Sequence, residues 1–216
     1  MRTDLPLKYV LSVPGGGSNT DELPLVVCMH GRGADANDLA DLAPLIDDGW
    51  RWLFPNAPKP FEAYPGMTFG YTWFDGWPPR GNSIAESRRL ILDFLDAALQ
   101  RYPTPKGKII LSGFSQGGLM ALDTGYRTQQ QLAGIVSMSG AIYEDELGDL
   151  EAHRDIPVLV IHGTADEMIP VLAARRTRLV LQNHGIDPDY HEFPMGHQVS
   201  QESMEAVGRF LRKSLK

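Results

Sequence analysis

Residues 108–122 read KIILSGFSQGGLMAL, and this stretch carries the clearest structural pattern in the chain. Its apolar, β-branched beginning is typical of a strand that is buried on both faces of a sheet. The residues after Ser115 are compatible with a helix. Glycines at positions 113 and 117 leave room for a sharp turn between the two elements. The stretch therefore predicts a strand, a tight turn that exposes Ser115, and a helix.

Short apolar runs of the same kind recur on both sides of this stretch, at residues 25–29, 52–54, 135–138 and 158–161. Residues 8–13 and 190–193 are further extended segments. Helical patterns lie between these runs, at residues 39–46, 83–99, 172–182 and 204–215. Ser83 and Glu86 have the spacing of a capping box at the start of the second helix. Buried strands that alternate with helices predict an α/β fold with a mostly parallel central sheet and helices on both of its faces.

Length and composition favour one domain over residues 1–216, because 43% hydrophobic and 22% charged residues are typical of a globular chain. A net charge of −7 argues against binding to nucleic acid or to an anionic membrane. No apolar run approaches the roughly 20 residues of a membrane span, and the N-terminus lacks the apolar core of a signal peptide. The single cysteine, Cys28, cannot form an internal disulfide. We expect a cytoplasmic protein without stable membrane insertion, as a monomer or a homodimer.

Ser115 is the candidate nucleophile, and a serine hydroxyl needs a base to take its proton. In proteins with this type of turn the order along the chain is serine, acid, histidine. His197 is the preferred base, because it lies in a loop between the extended residues 190–193 and the C-terminal helix. The other histidines after Ser115 are His153, His162, His184 and His191.

The acid that orients the base should lie on a loop after a neighbouring strand. Asp166 follows the apolar run at residues 158–161 and is the preferred acid. Glu167 is adjacent and is an alternative that the sequence leaves open. We expect no metal and no cofactor, because no metal-ligand spacing accompanies the turn.

A developing oxyanion needs two backbone N–H donors. The residue after the nucleophile, Gln116, supplies one of them. The second donor should come from a loop after an earlier strand, where Gly31 and Gly33 let the backbone approach a substrate. Arg32 is therefore the second candidate donor.

Six segments resemble the phospholipase/carboxylesterase branch of the α/β-hydrolase fold, which includes acyl-protein thioesterases and small bacterial carboxylesterases. They are HGRG at 30–33, FPNAP at 54–58, WFD at 73–75, GFSQGG at 113–118, HGTAD at 162–166 and GH at 196–197. The resemblance implies that Ser115, Asp166 and His197 form a catalytic triad. It also implies an oxyanion hole built from the Arg32 and Gln116 amides. Many members carry an apolar residue where this chain has Arg32.

The substrate pocket should be open. Only 17 residues, 140–156, separate two strands at the place where many α/β hydrolases insert a helical cap. Residues 66–81 are rich in glycine, proline and aromatic residues, including Trp77, and show neither helical nor alternating periodicity. We expect them to form a loop that walls the pocket, with Trp73 and Phe74 as substrate-binding residues together with Met168.

These observations favour a serine carboxylesterase that acts on small-molecule esters with short to medium acyl chains. An acyl thioesterase or lysophospholipase would use the same triad, because it differs only in the leaving group. A non-catalytic ligand receptor with this fold is the hypothesis from another class. Labelling of Ser115 by a fluorophosphonate probe would distinguish the receptor from the enzymes.

Overall fold

The computed structural model describes residues 1–13, 18, 20–46, 49–64, 66–76, 79, 81–144 and 147–216. The described strands and α-helices follow one another as β1 (Tyr9–Ser12), β2 (Leu25–Met29), β3 (Arg51–Pro55), β4 (Lys59–Tyr64), β5 (Met67–Thr72), α1 (Ser83–Arg101), β6 (Ile109–Phe114), α2 (Gln116–Gly125), β7 (Gly134–Met138), β8 (Val158–Gly163), α3 (Val171–Asn183), β9 (Asp189–Phe193) and α4 (Gln201–Leu215). A 3-10 helix covers Ala40–Leu45.

Seven strands form the central sheet in the order β1-β3-β2-β6-β7-β8-β9. β1 runs antiparallel to β3, whereas the pairs from β3 to β9 are parallel. This confirms the predicted mostly parallel sheet. Because parallel strands end at the same edge, the loops that follow β2, β6, β8 and β9 meet on one side of the molecule.

Two apolar layers cover the sheet, one on each face. The first is formed with α1, α2 and α3, through side chains such as Phe94, Leu122 and Leu181. The second is formed with α4 and the 3-10 helix, through side chains such as Phe210 and Ala43. Helices on both faces explain why the central strands are continuous apolar runs. No helix in the described ranges is long and apolar enough to span a membrane.

The segment at residues 66–81 differs from the prediction of a loop. Its first part is β5, which pairs antiparallel with β4 in a separate two-stranded sheet. The register shifts between Phe61 and Glu62 and again between Glu62 and Tyr64, and such bulges break the alternation by which a strand is recognised. Trp77 lies outside the described residues.

The predicted capping box of α1 is wrong. Asn82 is the N-cap residue and makes no capping hydrogen bond with its side chain. The Ser83 hydroxyl instead accepts a hydrogen bond from the Asp75 N–H at 3.4 Å, and Glu86 pairs with Lys59 at 3.1 Å. Tertiary contacts thus use both side chains that the local pattern assigned to the cap.

Between β7 and β8 the described residues form neither an α-helix nor a strand. No helical cap is therefore built over the carboxyl edge of the sheet from these residues.

Candidate active site

Ser115 occupies the sharp turn between β6 and α2, with the predicted strand before it and the predicted helix after it. Its φ of 56° lies in the left-handed region, which is strained for a residue with a side chain. A Cβ atom at Gly113 would lie 2.3 Å from the Gly117 backbone, and one at Gly117 would lie 2.0 Å from the Met29 carbonyl oxygen. Gly113 is therefore required by the tightness of the turn itself, and Gly117 by the close approach of the turn to β2.

His197 and Asp166 meet Ser115 at the carboxyl edge of the sheet. The His197 Nε2 atom lies 2.9 Å from the Ser115 Oγ atom, and His197 Nδ1 lies 2.7 Å from Asp166 Oδ2. Asp166 comes three residues after β8, and His197 comes four residues after β9. The structure therefore brings together the three side chains that the sequence predicted as a triad.

Asp166 is held as a carboxylate. Its Oδ1 atom accepts hydrogen bonds from the backbone N–H groups of Met168 at 2.9 Å and Ile169 at 2.8 Å. Burial raises the pKa of Asp166, but these hydrogen bonds and His197 outweigh burial and leave the pKa below its ordinary value. Glu167, the alternative acid, is exposed and has no hydrogen bond to His197 among the described residues.

The other four histidines after Ser115 have no hydrogen bond to it in the described part of the chain. His184 bonds to the Val180 carbonyl group, His191 pairs with Asp189, and His162 bonds to the Ile169 carbonyl group. Within the described residues, only His197 links Ser115 to a carboxylate.

The two predicted oxyanion donors flank Ser115. Gln116 is the first residue of α2, where backbone N–H groups have no acceptor within the helix. Arg32 follows Gly31, whose position is so close to the turn that a Cβ atom there would lie 3.3 Å from the Ser115 Cβ atom. Arg32, Gln116 and Ser115 line one cavity.

The Gln116 side chain has a role that the sequence analysis missed. Its Oε1 atom accepts a hydrogen bond from the Trp73 N–H at 3.0 Å and lies 3.0 Å from the Thr72 hydroxyl. Its Nε2 atom donates to the Phe74 carbonyl group at 2.9 Å. These contacts join the start of α2 to the end of β5. The sequence shows only a glutamine directly after Ser115, and the burial of its side chain is visible only in the structure.

His30 is a second residue that the sequence analysis missed. Its Nδ1 atom donates to the Gly31 carbonyl group at 2.7 Å, while Nε2 accepts from the Ala57 N–H at 3.0 Å. Burial lowers the pKa of His30, although the bond to Gly31 opposes this effect. A neutral His30 therefore fixes the loop that carries Arg32. In the sequence, the only local signal for this role was the position of His30 between a predicted strand and Gly31.

A cavity of about 450 Å³ opens beside Ser115. Its apolar lining includes Phe61, Phe74, Phe114, Leu119, Ala141 and Ile169. Met168 also lines it and is 68% exposed at its edge. Arg32 and Asp38 are the charged residues of its described lining, which also includes His197. The Arg32 guanidinium lies over the Phe61 ring, 5.1 Å from its centre.

Trp73, predicted to bind substrate, does not line this cavity. Its side chain is fully buried, and its indole N–H donates to the His30 carbonyl group at 2.9 Å. The indole ring is packed inside the protein, and its polar N–H group has a hydrogen-bond partner there. The prediction for Trp73 is corrected, whereas Phe74 and Met168 do line the cavity.

A mostly parallel sheet with a strained serine turn, a histidine and a carboxylate at its carboxyl edge defines an α/β hydrolase. The described residues contain no cluster of three or more His, Cys, Asp or Glu that could hold a metal ion. The chain belongs to the phospholipase/carboxylesterase family, whose model matches residues 17–215. It is therefore a hydrolase of the carboxylic ester class.

Known relatives agree with this assignment. Acyl-protein thioesterase 1 of Gibberella zeae is 27% identical over 217 residues, which cover 88% of this chain and 90% of the relative. The crystal structure of esterase PE8 is 31% identical, with a TM-score of 0.82 over 99% of this chain and 100% of that one. A carboxylesterase from Mesorhizobium loti shares the fold, with a TM-score of 0.80 and 21% identity over 98% and 97% of the two chains.

Replacing the Gln116 side chain tests its link to β5. Gln116→Met keeps the backbone donor but leaves the Trp73 N–H and the Phe74 carbonyl group without this partner. We expect a loss of about 1–3 kcal/mol in the free energy of unfolding. We also expect kcat for an ester to fall by about 10- to 100-fold, because a small displacement of the oxyanion donor is costly.

The matched control is Gln130→Met, since Gln130 bonds to Asp96 on the surface and does not line the cavity. Chemical denaturation and steady-state kinetics measure both effects. Wild-type kcat in Gln116→Met would contradict the positioning role of this side chain.

Proposed function

We propose that the protein is a serine carboxylesterase that hydrolyses short- to medium-chain carboxylic esters through an acyl-enzyme on Ser115. The observation that carries this proposal is the hydrogen-bond chain from Ser115 Oγ through His197 to Asp166, at 2.9 and 2.7 Å. This chain opens onto an apolar cavity. A hydroxyl, an imidazole and an ionised carboxylate in this order are the requirements of serine acyl transfer.

In the first half-reaction, His197 Nε2 takes the proton of Ser115 as Oγ attacks the ester carbonyl carbon. The tetrahedral intermediate collapses, its bond to the alcohol oxygen breaks, and His197 returns the proton to the departing alcohol. Water then repeats these steps on the acyl-enzyme and releases the acid. Asp166 keeps the proton of His197 on Nδ1 throughout and stabilises the imidazolium that forms.

The Arg32 and Gln116 backbone N–H groups form the proposed oxyanion hole. Gln116 is at the N-terminus of α2, where the helix dipole also favours negative charge. These donors act only on the charge that develops in the transition state, so they raise kcat rather than ground-state affinity.

The proposed acyl site is the apolar part of the cavity. Aromatic and aliphatic side chains such as Phe74 and Leu119 line it beside Ser115. A volume of about 450 Å³ is at the lower end of the range for small-molecule pockets, which supports short to medium acyl chains.

A thioesterase is the second candidate function, because several relatives, including one 26% identical from Candida albicans, are named acyl-protein thioesterase 1. The triad and the oxyanion hole would serve a thioester equally well. Values of kcat/KM on an oxygen ester and a thioester with the same acyl group, and on a lysophospholipid, separate the candidates. A preference for the thioester or for the lysophospholipid would overturn the ester proposal.

We further propose that the protein acts in the cytoplasm without a cofactor, as a monomer or a homodimer. The net charge of −7 supports the absence of nucleic-acid binding. We propose a single domain over residues 1–216, in keeping with the average composition of the chain.

Ser115→Ala should abolish turnover, because no other group in the proposed site can carry the acyl chain. The expected loss in kcat is on the order of 10⁶. A fluorophosphonate probe should label the wild type and the Ser112→Ala control but not Ser115→Ala. Failure to label the wild-type protein would favour a ligand receptor.

Two adjacent carboxylates provide a matched pair of variants. Asp166→Asn should lower kcat by up to about 10⁴, because the amide favours the wrong tautomer of His197. Glu167→Gln should leave kcat unchanged, since Glu167 is exposed. Steady-state kinetics on the two purified variants decides between them, and the reverse order of effects would move the acid to Glu167.

Arg32→Leu tests the side chain separately from the backbone donor. We expect wild-type kcat on an acetyl ester, because the N–H group remains. For longer acyl chains kcat/KM should rise, since the cation at the cavity is removed and each buried CH₂ contributes about 0.8 kcal/mol.

The control is Arg178→Leu, because Arg178 stacks on Tyr190 and does not line the cavity. Kinetics on an ester series of increasing acyl length measures the effect. A loss of about a hundredfold on the acetyl ester would show that the guanidinium itself holds the loop or the substrate, since misplaced groups cost that much. An unchanged chain-length profile would place Arg32 outside the acyl path.

A further inference from the structure

We propose that His162 is a positioning residue that holds Asp166 and the turn at residues 166–169 in the geometry needed by the triad. The inference rests on the proposed function, in which Asp166 orients His197. His162 lies near the end of β8, and its side chain is fully buried. It is therefore a candidate for a role inside the protein rather than at the substrate.

The tautomer of His162 follows from its contacts. Its Nε2 atom lies 2.7 Å from the Ile169 carbonyl oxygen, which can only accept a hydrogen bond. Nε2 must therefore carry a proton and donate it. The other ring nitrogen, Nδ1, is buried and has no hydrogen-bond partner among the described residues.

The contact with Ile169 links His162 to Asp166 by a second route, through the Ile169 backbone. The Ile169 N–H donates to Asp166 Oδ1 at 2.8 Å, while the Ile169 carbonyl group accepts from His162. Both polar groups of the Ile169 backbone are thus held. His162 fixes the donor on which the position of Oδ1 depends.

The second carboxylate oxygen lies between two imidazole rings. His162 Nε2 is 3.3 Å from Asp166 Oδ2, and His197 Nδ1 is 2.7 Å from the same oxygen. The N–H of His162 places a positive dipole beside the carboxylate. The contact places a second polar group, besides His197, against the Oδ2 atom of Asp166.

The unpaired Nδ1 atom argues that packing alone does not explain this histidine. A buried acceptor without a partner costs free energy, and an apolar side chain of similar size would avoid that cost. The features that His162 offers and a leucine lacks are the two contacts of Nε2. Those contacts lead to the proposed acid.

Three substitutions separate positioning from packing. His162→Gln places an amide N–H near the Nε2 position, His162→Asn is too short to reach Ile169 in this way, and His162→Leu fills the space without a donor. On an acetyl ester we expect His162→Asn and His162→Leu to lower kcat by about 10- to 100-fold with little change in KM. His162→Gln should keep most of kcat. His191→Leu is the control, because His191 is partly exposed on β9 and pairs with Asp189.

A measurement on the wild-type protein covers the case in which the variants do not fold. Histidine-selective nitrogen NMR should find His162 with its proton on Nε2 at the pH of the assay. In the folded variants lacking the donor, the low-field proton resonance of His197 Nδ1 should shift, whereas a purely structural role would change only the melting temperature. A proton on Nδ1 of His162 would overturn the proposal.

The same assay includes Ser115→Ala and Asp166→Asn. If Ser115→Ala keeps wild-type kcat, the proposed function fails. If Asp166→Asn alone keeps wild-type kcat, the acid is not Asp166 and the role of His162 falls with it. If both of these variants are inactive while folded His162→Leu and His162→Asn keep wild-type kcat, only the role of His162 is overturned.

Discussion

The close approach of the turn after β6 to the end of β2 is the constraint on which the site depends. Gly117 lies against the Met29 carbonyl oxygen, so the backbone can make this approach only without a side chain at that position. Ser115 is held in a left-handed conformation as a result. The surrounding β6, α2 and β7 over-determine this strained conformation, since the Ser115 N–H also donates to the Met138 carbonyl group. The sheet itself therefore places the proposed nucleophile.

The β4–β5 hairpin is a second part of the structure on which the geometry of the site depends. Gly33 N–H donates to the Tyr71 carbonyl group, and Tyr71 N–H donates to the Ala34 carbonyl group, both at 2.8 Å. Beyond Tyr71, the backbone of Thr72 to Phe74 contacts the Gln116 side chain. One hairpin thus contacts the loop of one proposed oxyanion donor and the residue that carries the other. The hairpin lies outside the central sheet, but it contributes to the geometry of the site.

The sequence predicted the three side chains that meet at the candidate site better than the contacts that support them. Asp166 and Ser115 could be found because each follows an apolar run that reads as a strand. The hairpin was missed because its bulges remove the alternation of a regular strand. His30, His162 and the Gln116 side chain were missed for another reason. The partners of His30 and Gln116, such as Ala57 and Trp73, are backbone groups remote in the chain, and no local pattern encodes such a contact. The partner of His162, the Ile169 carbonyl group, is only seven residues away, but the irregular turn between them has no periodic pattern that would place it.

The site stabilises charge mainly with dipoles. The backbone N–H groups of Met168 and Ile169 donate to the Asp166 carboxylate, and the proposed oxyanion hole consists of backbone amides, which need no desolvation of a full charge. In the described lining the fixed charges outside the triad, Arg32 and Asp38, belong to the wall of the cavity. This division separates the chemistry from substrate choice. The proposed machinery would serve an oxygen ester and a thioester alike, so selectivity must come from wall residues, of which Arg32 and Asp38 carry charges that an apolar acyl chain lacks.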